Sequence, residues 1–135
     1  MSNFSIEMNY VVYAKPEDVF EALTNTAVMK KWIEGSFVFE LKKQGNVELF
    51  DGWVKGEVRS FVNNESLSYS WKPNTWDKKS KPTLVEIALK PDAAGTRVFI
   101  HHSLFPGNDE ADKHRHGWIN FVLDPLNDYF IGLMK

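Results

Sequence analysis

Apolar residues recur at helical spacing near the end of this chain and at alternate positions over most of what precedes it. Between Ala111 and Met134, Trp118, Phe121, Val122, Leu126, Tyr129, Phe130 and Leu133 fall on one stripe. Asn120, Asp124, Asn127 and Asp128 fall on the other side. The pattern predicts a helix ~36 Å long at about 1.5 Å per residue, whose aromatic stripe must be buried against something large. Gly117 and Pro125 interrupt it; in a regular helix interior they are unfavourable by about 1 and 3 kcal/mol. Pro125 cannot donate to the carbonyl of Phe121, which predicts a bend. Gly117 predicts a close approach of helix to sheet.

Period two governs the rest. Phe4, Ile6, Met8, Tyr10 and Val12 alternate with Ser5, Glu7 and Asn9, a half-buried strand. Pro16, followed by Glu17 and Asp18, opens a short helix to Leu23. Thr24-Asn25-Thr26 breaks it and caps a second, Ala27 to Trp32. Strands follow at Phe37–Leu41, Val47–Leu49 and Trp53–Val62, the last placing Val54, Gly56, Val58 and Val62 on one face. Leu67, Tyr69 and Trp71 alternate with serines, the cleanest such run in the chain. A polar loop over Lys72–Lys81 carries an isolated Trp76, read as a gate, a contact surface, or a side chain folded over a strand edge. Val85, Ile87 and Leu89 mark the sixth strand. Val98, Ile100, His102 and Leu104 share a face of the seventh, which ends at Phe105. Strands joined by short turns pair antiparallel, and one polar face per strand implies a sheet covered on one side. The predicted architecture is α+β: a curved antiparallel sheet of about seven strands wrapped around a long C-terminal helix, with two short helices after the first strand.

At 135 residues the expectation is one domain spanning 1–135, large enough to bury a core without staples. There is no cysteine, which removes disulfides, a thiol nucleophile and cysteine-based zinc sites. The net charge of −2 gives no footprint for nucleic acid. No apolar run reaches membrane-spanning length, so no membrane insertion is expected. The start, MSNFSIEMNY, lacks the basic-then-apolar order of a leader, and the reading is a soluble, cytoplasmic protein. Aromatics make up 14% of the chain, more than a thin core layer needs. That excess points to an interior with room for a small hydrophobic or amphipathic ligand. The candidate lining is Trp32, Phe37, Phe39, Tyr69, Trp71 and Ile100, with His102, Trp118, Phe121, Val122 and Tyr129. Ordinary core is the competing reading for each of them.

All four histidines, His101, His102, His114 and His116, lie late in the chain. Neighbours on a strand point to opposite faces, so His101 and His102 cannot chelate together. His114 and His116 diverge on a helix. A metal site would need His102 with one helical histidine and a carboxylate such as Asp112; hydrogen-bonded or exposed histidines are the alternative. The reading is no metal and no cofactor. His102 faces the expected interior, either bonded to a neighbouring hydroxyl or backbone group or touching a ligand. Spacing yields no Ser–His–Asp grouping and no interior carboxylate pair, so no catalytic residue is assigned.

The run Ala14-Lys15-Pro16-Glu17-Asp18-Val19-Phe20-Glu21-Ala22-Leu23-Thr24 resembles the opening motif of the AHSA-type family, named for the activator of the heat-shock chaperone's ATPase, within the START-like (SRPBCC, Bet-v-allergen-like) superfamily. Trp32, Gly56-Glu57-Val58, the Leu67–Trp71 strand, Gly95-Thr96-Arg97-Val98, His102-Ser103 and Gly117-Trp118 extend the resemblance over essentially the whole length. Where the family often carries a Gly-Gly pair, only Gly45 is present. The resemblance implies a helix-grip fold with a cavity between sheet and long helix that holds apolar ligands. It implies three readings of function. The first is a binding protein for a small hydrophobic ligand, monomer or homodimer. The second is a co-chaperone-like partner of a heat-shock chaperone, contacting it through Trp76 and the basic loop. The third is a cyclase or hydratase using His102, Tyr69 or Tyr129.

Overall fold

The structure is a computed structural model, described here for residues 4–134. Met1 to Asn3, part of the leader reading, and Lys135 lie outside the described residues. Seven strands form one antiparallel sheet: β1 Phe4–Val12, β2 Val38–Phe39, β3 Asn46–Leu49, β4 Val54–Val62, β5 Ser66–Pro73, β6 Thr83–Asp92 and β7 Gly95–Phe105. Their order is β1-β7-β6-β5-β4-β3-β2. From β3 to β7, sequence neighbours pair antiparallel, through short turns except for the loop between Pro73 and Thr83 that carries Trp76. The first strand pairs with the last, so the chain must cross from one sheet edge to the other. It does so through α1 Pro16–Thr24 and α2 Thr26–Met29. Pro16 sits at the start of α1 as its fixed φ allows, and the Asn25 side chain accepts the Ala27 N–H to cap α2.

The inward parity of β5, β6 and β7 follows the alternation: Leu67, Tyr69 and Trp71, then Val85, Ile87 and Leu89, then Val98, Ile100 and His102 are all buried. Two expectations on the sheet fail for backbone reasons. Val62 is 53% exposed rather than inward, because β4 carries a register shift between Val58 and Ser60 that inverts the parity beyond it. Leu104 is also exposed. Its φ of 71° turns the strand, so Phe105 enters the core instead. Phe37 and Leu41 flank a strand reduced to two residues.

The C-terminal helical run has three parts: α3 Asn108–Gly117, a π-helical segment Trp118–Leu123, and α4 Asp124–Leu133. The Asp124 N–H donates to the carbonyl of Ile119, five residues back. Pro125 explains the wide turn. Its ring has no N–H and crowds the carbonyl four residues before it, and widening the turn upstream relieves both problems. The inserted residue rotates the helix phase. Leu123, off the predicted stripe, is buried, while Phe121, on it, is 64% exposed. Trp118, Val122, Leu126 and Phe130 remain inward at a spacing of four, whereas Leu133 is exposed and Tyr129 half-buried. On the polar side, Asp124 accepts the Tyr10 hydroxyl at 2.5 Å and Asn127 accepts the Tyr13 N–H at 3.0 Å, tying the run to β1.

Candidate functional site: an aromatic pocket over a locked floor

Where the π-helical segment meets β5 the interior opens into a pocket of about 450 Å³, within the roughly 300–1,000 Å³ range of ligand sites. Its floor is Trp71 and Trp118, both buried, with ring centroids 5.3 Å apart and planes at 34°. Trp53, directly after the β3–β4 turn, forms a wall at 89° to Trp71. It stacks on His114 of α3 with centroids 6.1 Å apart and a 20° tilt. Trp76 closes from the loop after β5, also packing on His114. The sequence leaves Trp76 open as a gate, a contact surface or a side chain folded over a strand edge; the structure places it half-buried in the wall of this pocket. Phe50 and Phe121 stand at the mouth, and Thr75, Glu110 and Lys113 supply the polar lining.

Beneath the floor every polar atom has a partner. An indole N–H can only donate, so each contact identifies a histidine tautomer. Trp118 Nε1 donates to His102 Nδ1 at 3.0 Å, which leaves His102 Nε2 as the protonated nitrogen, donating to Thr83 Oγ1 at 2.7 Å. The Thr83 hydroxyl passes its own proton to the Trp71 carbonyl at 2.8 Å. The Trp71 indole donates to His114 Nε2 at 3.1 Å, so His114 Nδ1–H donates to the Glu110 carbonyl at 2.8 Å. The two imidazoles lie edge to face, 5.4 Å between centroids, and Phe105 packs on both. Burial pushes His102 down to about 2, with smaller contributions from His114 and His101. Burial also pushes His114 down, against the opposing pull of the Glu110 carbonyl and carboxylate. Both rings are neutral, and neither offers a lone pair to the pocket.

Four of the residues expected to line a cavity, Trp71, Trp118, Phe121 and Val122, meet at this pocket. Trp32, Phe39 and Tyr69 surround a residual gap of about 20 Å³ behind it, and Trp32 also borders an open cleft of about 460 Å³ beside Phe50, Phe121 and Pro125. Around the gap, Trp32 Nε1 donates to the Ala22 carbonyl, Phe39 packs edge-on to Tyr69 at 5.7 Å, and burial raises the Tyr69 phenol above its ordinary range. Phe37, Ile100 and Tyr129 line none of these spaces. His102 lies under the floor, fully buried, as the satisfied-histidine alternative describes. The expected close approach at Gly117 does not occur: a Cβ there would meet only the Phe121 ring, at 4.0 Å, so this glycine borders open space. Phe50, Trp53, Glu110 and His114 also line the pocket, and the pattern of the sequence does not mark them as lining. One signal was available for His114, which precedes Trp118 by one helical turn on the same face. Phe50 and Trp53 are brought in by the turn at Phe50 and Asp51, both with positive φ, which breaks the parity a sequence can follow. Among the described residues no group of three or more metal-ligating side chains is assembled.

Residues 13–130 match the profile of a family described as activator of Hsp90 ATPase homolog 1-like protein. A curated relative, mouse activator of 90 kDa heat shock protein ATPase homolog 2, is 24% identical over 82 residues, covering 61% of this chain and 24% of the relative. The matched stretch is thus about a quarter of that protein. A solved protein from Mesorhizobium loti superposes with a TM-score of 0.81 at 20% identity, over 94% of this chain and 96% of that one. An HSP90 activator from Plasmodium falciparum gives 0.72 at 24% identity, over 89% and 90%. The Aha1 dimer from Colwellia psychrerythraea gives 0.73 at 22%, over 95% of each chain. At these identities the structures show the shared helix-grip fold.

Proposed function

The chain belongs to the activator of Hsp90 ATPase homolog 1-like family, and from that premise we propose that it is a binding protein whose ligand, a small hydrophobic or amphipathic molecule, occupies the aromatic pocket. The observation that carries this reading is the pairing of an open space of about 450 Å³ with a floor whose hydrogen bonds are all turned inward. Such a floor presents only aromatic faces, and water gains little there. Tryptophan walls also make binding directly observable. Titration with the neutral probe N-phenyl-1-naphthylamine is expected to quench tryptophan fluorescence saturably with one site. Replacement of Trp76 by Ala should weaken that binding. Absence of saturable binding by this probe and by a panel of lipids, sterols and aromatic polyketides overturns the reading.

A second reading rests on the mouse and Plasmodium relatives: a co-chaperone-like contact with a heat-shock chaperone. Its test is the chaperone's ATPase rate with and without this protein. Stimulation supports it, and an unchanged rate at saturating protein removes it.

A further inference from the structure

We propose that the pocket takes a quaternary ammonium group, carried on a small organic molecule of the choline type. The inference rests on the pocket reading above and narrows its ligand class. Two features support it independently.

The first is wall geometry. Trp53 and Trp71 meet at 89° with centroids 6.4 Å apart, and Trp76 packs at 62° to His114, which itself lies nearly parallel to Trp53. Faces meeting near right angles cover a rounded group on more sides than they cover a flat ring. They can surround a rounded cation, and the negative faces of aromatic rings attract one. With the Trp71 and Trp118 N–H groups donated into the protein, the positive edges of both floor indoles are turned away from the ligand space.

The second is charge. Glu110 lines the pocket, its side chain is 30% exposed, and its nearest basic partner is His114, with Nδ1 at 3.8 Å from Oε2. That imidazole is neutral in the folded protein, so the carboxylate faces the pocket without a cation paired to it among the described residues. Lys113 also borders the space but is exposed. Water and salt screen its charge more than they screen the half-buried carboxylate. The net field at the walls therefore favours a cation. A trimethylammonium group cannot donate a hydrogen bond, and the floor offers no acceptor it would need to satisfy.

The experiment compares choline with its uncharged carbon isostere, 3,3-dimethyl-1-butanol, each displacing N-phenyl-1-naphthylamine from the folded protein. Choline is expected to bind at least about tenfold tighter. Glu110→Gln, which keeps the backbone carbonyl that His114 uses, should erase most of that preference by weakening choline far more than the alcohol. Lys113→Gln should strengthen choline binding. Equal binding of the two compounds, or choline binding weakened by Lys113→Gln, overturns the inference while the pocket reading stands. If neither the fluorescent probe nor the panel of lipids, sterols and polyketides binds, the pocket reading fails first.

Discussion

The floor and the mouth of the pocket both rest on aromatic side chains, tryptophan above all, yet they differ in what those side chains are committed to. At the floor, Trp71, Trp118, His102, His114 and Thr83 satisfy one another through hydrogen bonds, and all are buried. At the mouth, Phe121 is 64% exposed and Phe50, Trp53 and Trp76 are half-buried. Aromatic content alone does not distinguish structure from function. A tryptophan whose N–H is spent inside the protein holds the fold together, and one with a face and an edge toward solvent is available to a ligand.

Substitutions can break this contrast, and the largest effect belongs to the floor. Trp71→Ala removes a buried indole and leaves His114 Nε2 without its donor, so a loss of about 3–5 kcal/mol is expected in urea unfolding. A loss under about 1 kcal/mol would show that the network is ornamental. Acid comes next. The two floor histidines are neutral when folded and take protons when unfolded, so unfolding binds protons below the ordinary histidine value of about 6.5. Their contribution is complete above that pH and falls as pH drops toward the folded values, by up to about 1.4 kcal/mol per pH unit for each. Midpoints of urea unfolding at pH 7.5, 6.5 and 5.5 check this, and His102→Leu should flatten the slope over the lower interval.

Smaller effects belong to the mouth. Gly117→Ala adds a methyl group where the nearest atom is 4.0 Å away, on a backbone already helical, with φ −62°. A gain of up to about 1 kcal/mol is expected from lower unfolded-state freedom, with weaker probe binding because the methyl enters the pocket. A thermal melt and a titration on the same variant test both halves. Phe121→Ser should change stability by no more than about 0.5 kcal/mol and still weaken binding of N-phenyl-1-naphthylamine. If it instead costs as much as Trp71→Ala, Phe121 is core, and the contrast collapses.

The order of the elements was legible because period two and period 3.6 are local signals. The serine alternation from Ser66 to Ser70 specified the buried face of β5 without reference to any other strand. Phase errors arose where one residue changed the count: the register shift after Val58, the positive φ at Leu104, and the π-helical turn before Pro125. Pro125 marked the disturbance but not its form, since a bend and a widened turn relieve the same clash.

The residues themselves determined the curved sheet around a long helix and the inward face of His102, because alternation and amphipathic spacing are encoded within a few positions, while the family was legible only through the resemblance of motifs such as Ala14–Thr24 and Gly117-Trp118. Tertiary structure alone decided which aromatics stay filled and which stand open. Trp71 reaches His114 across 43 positions, and Thr83 reaches His102 across 19. Such partners are chosen by how sheet and helix meet in space, a choice that no local period records.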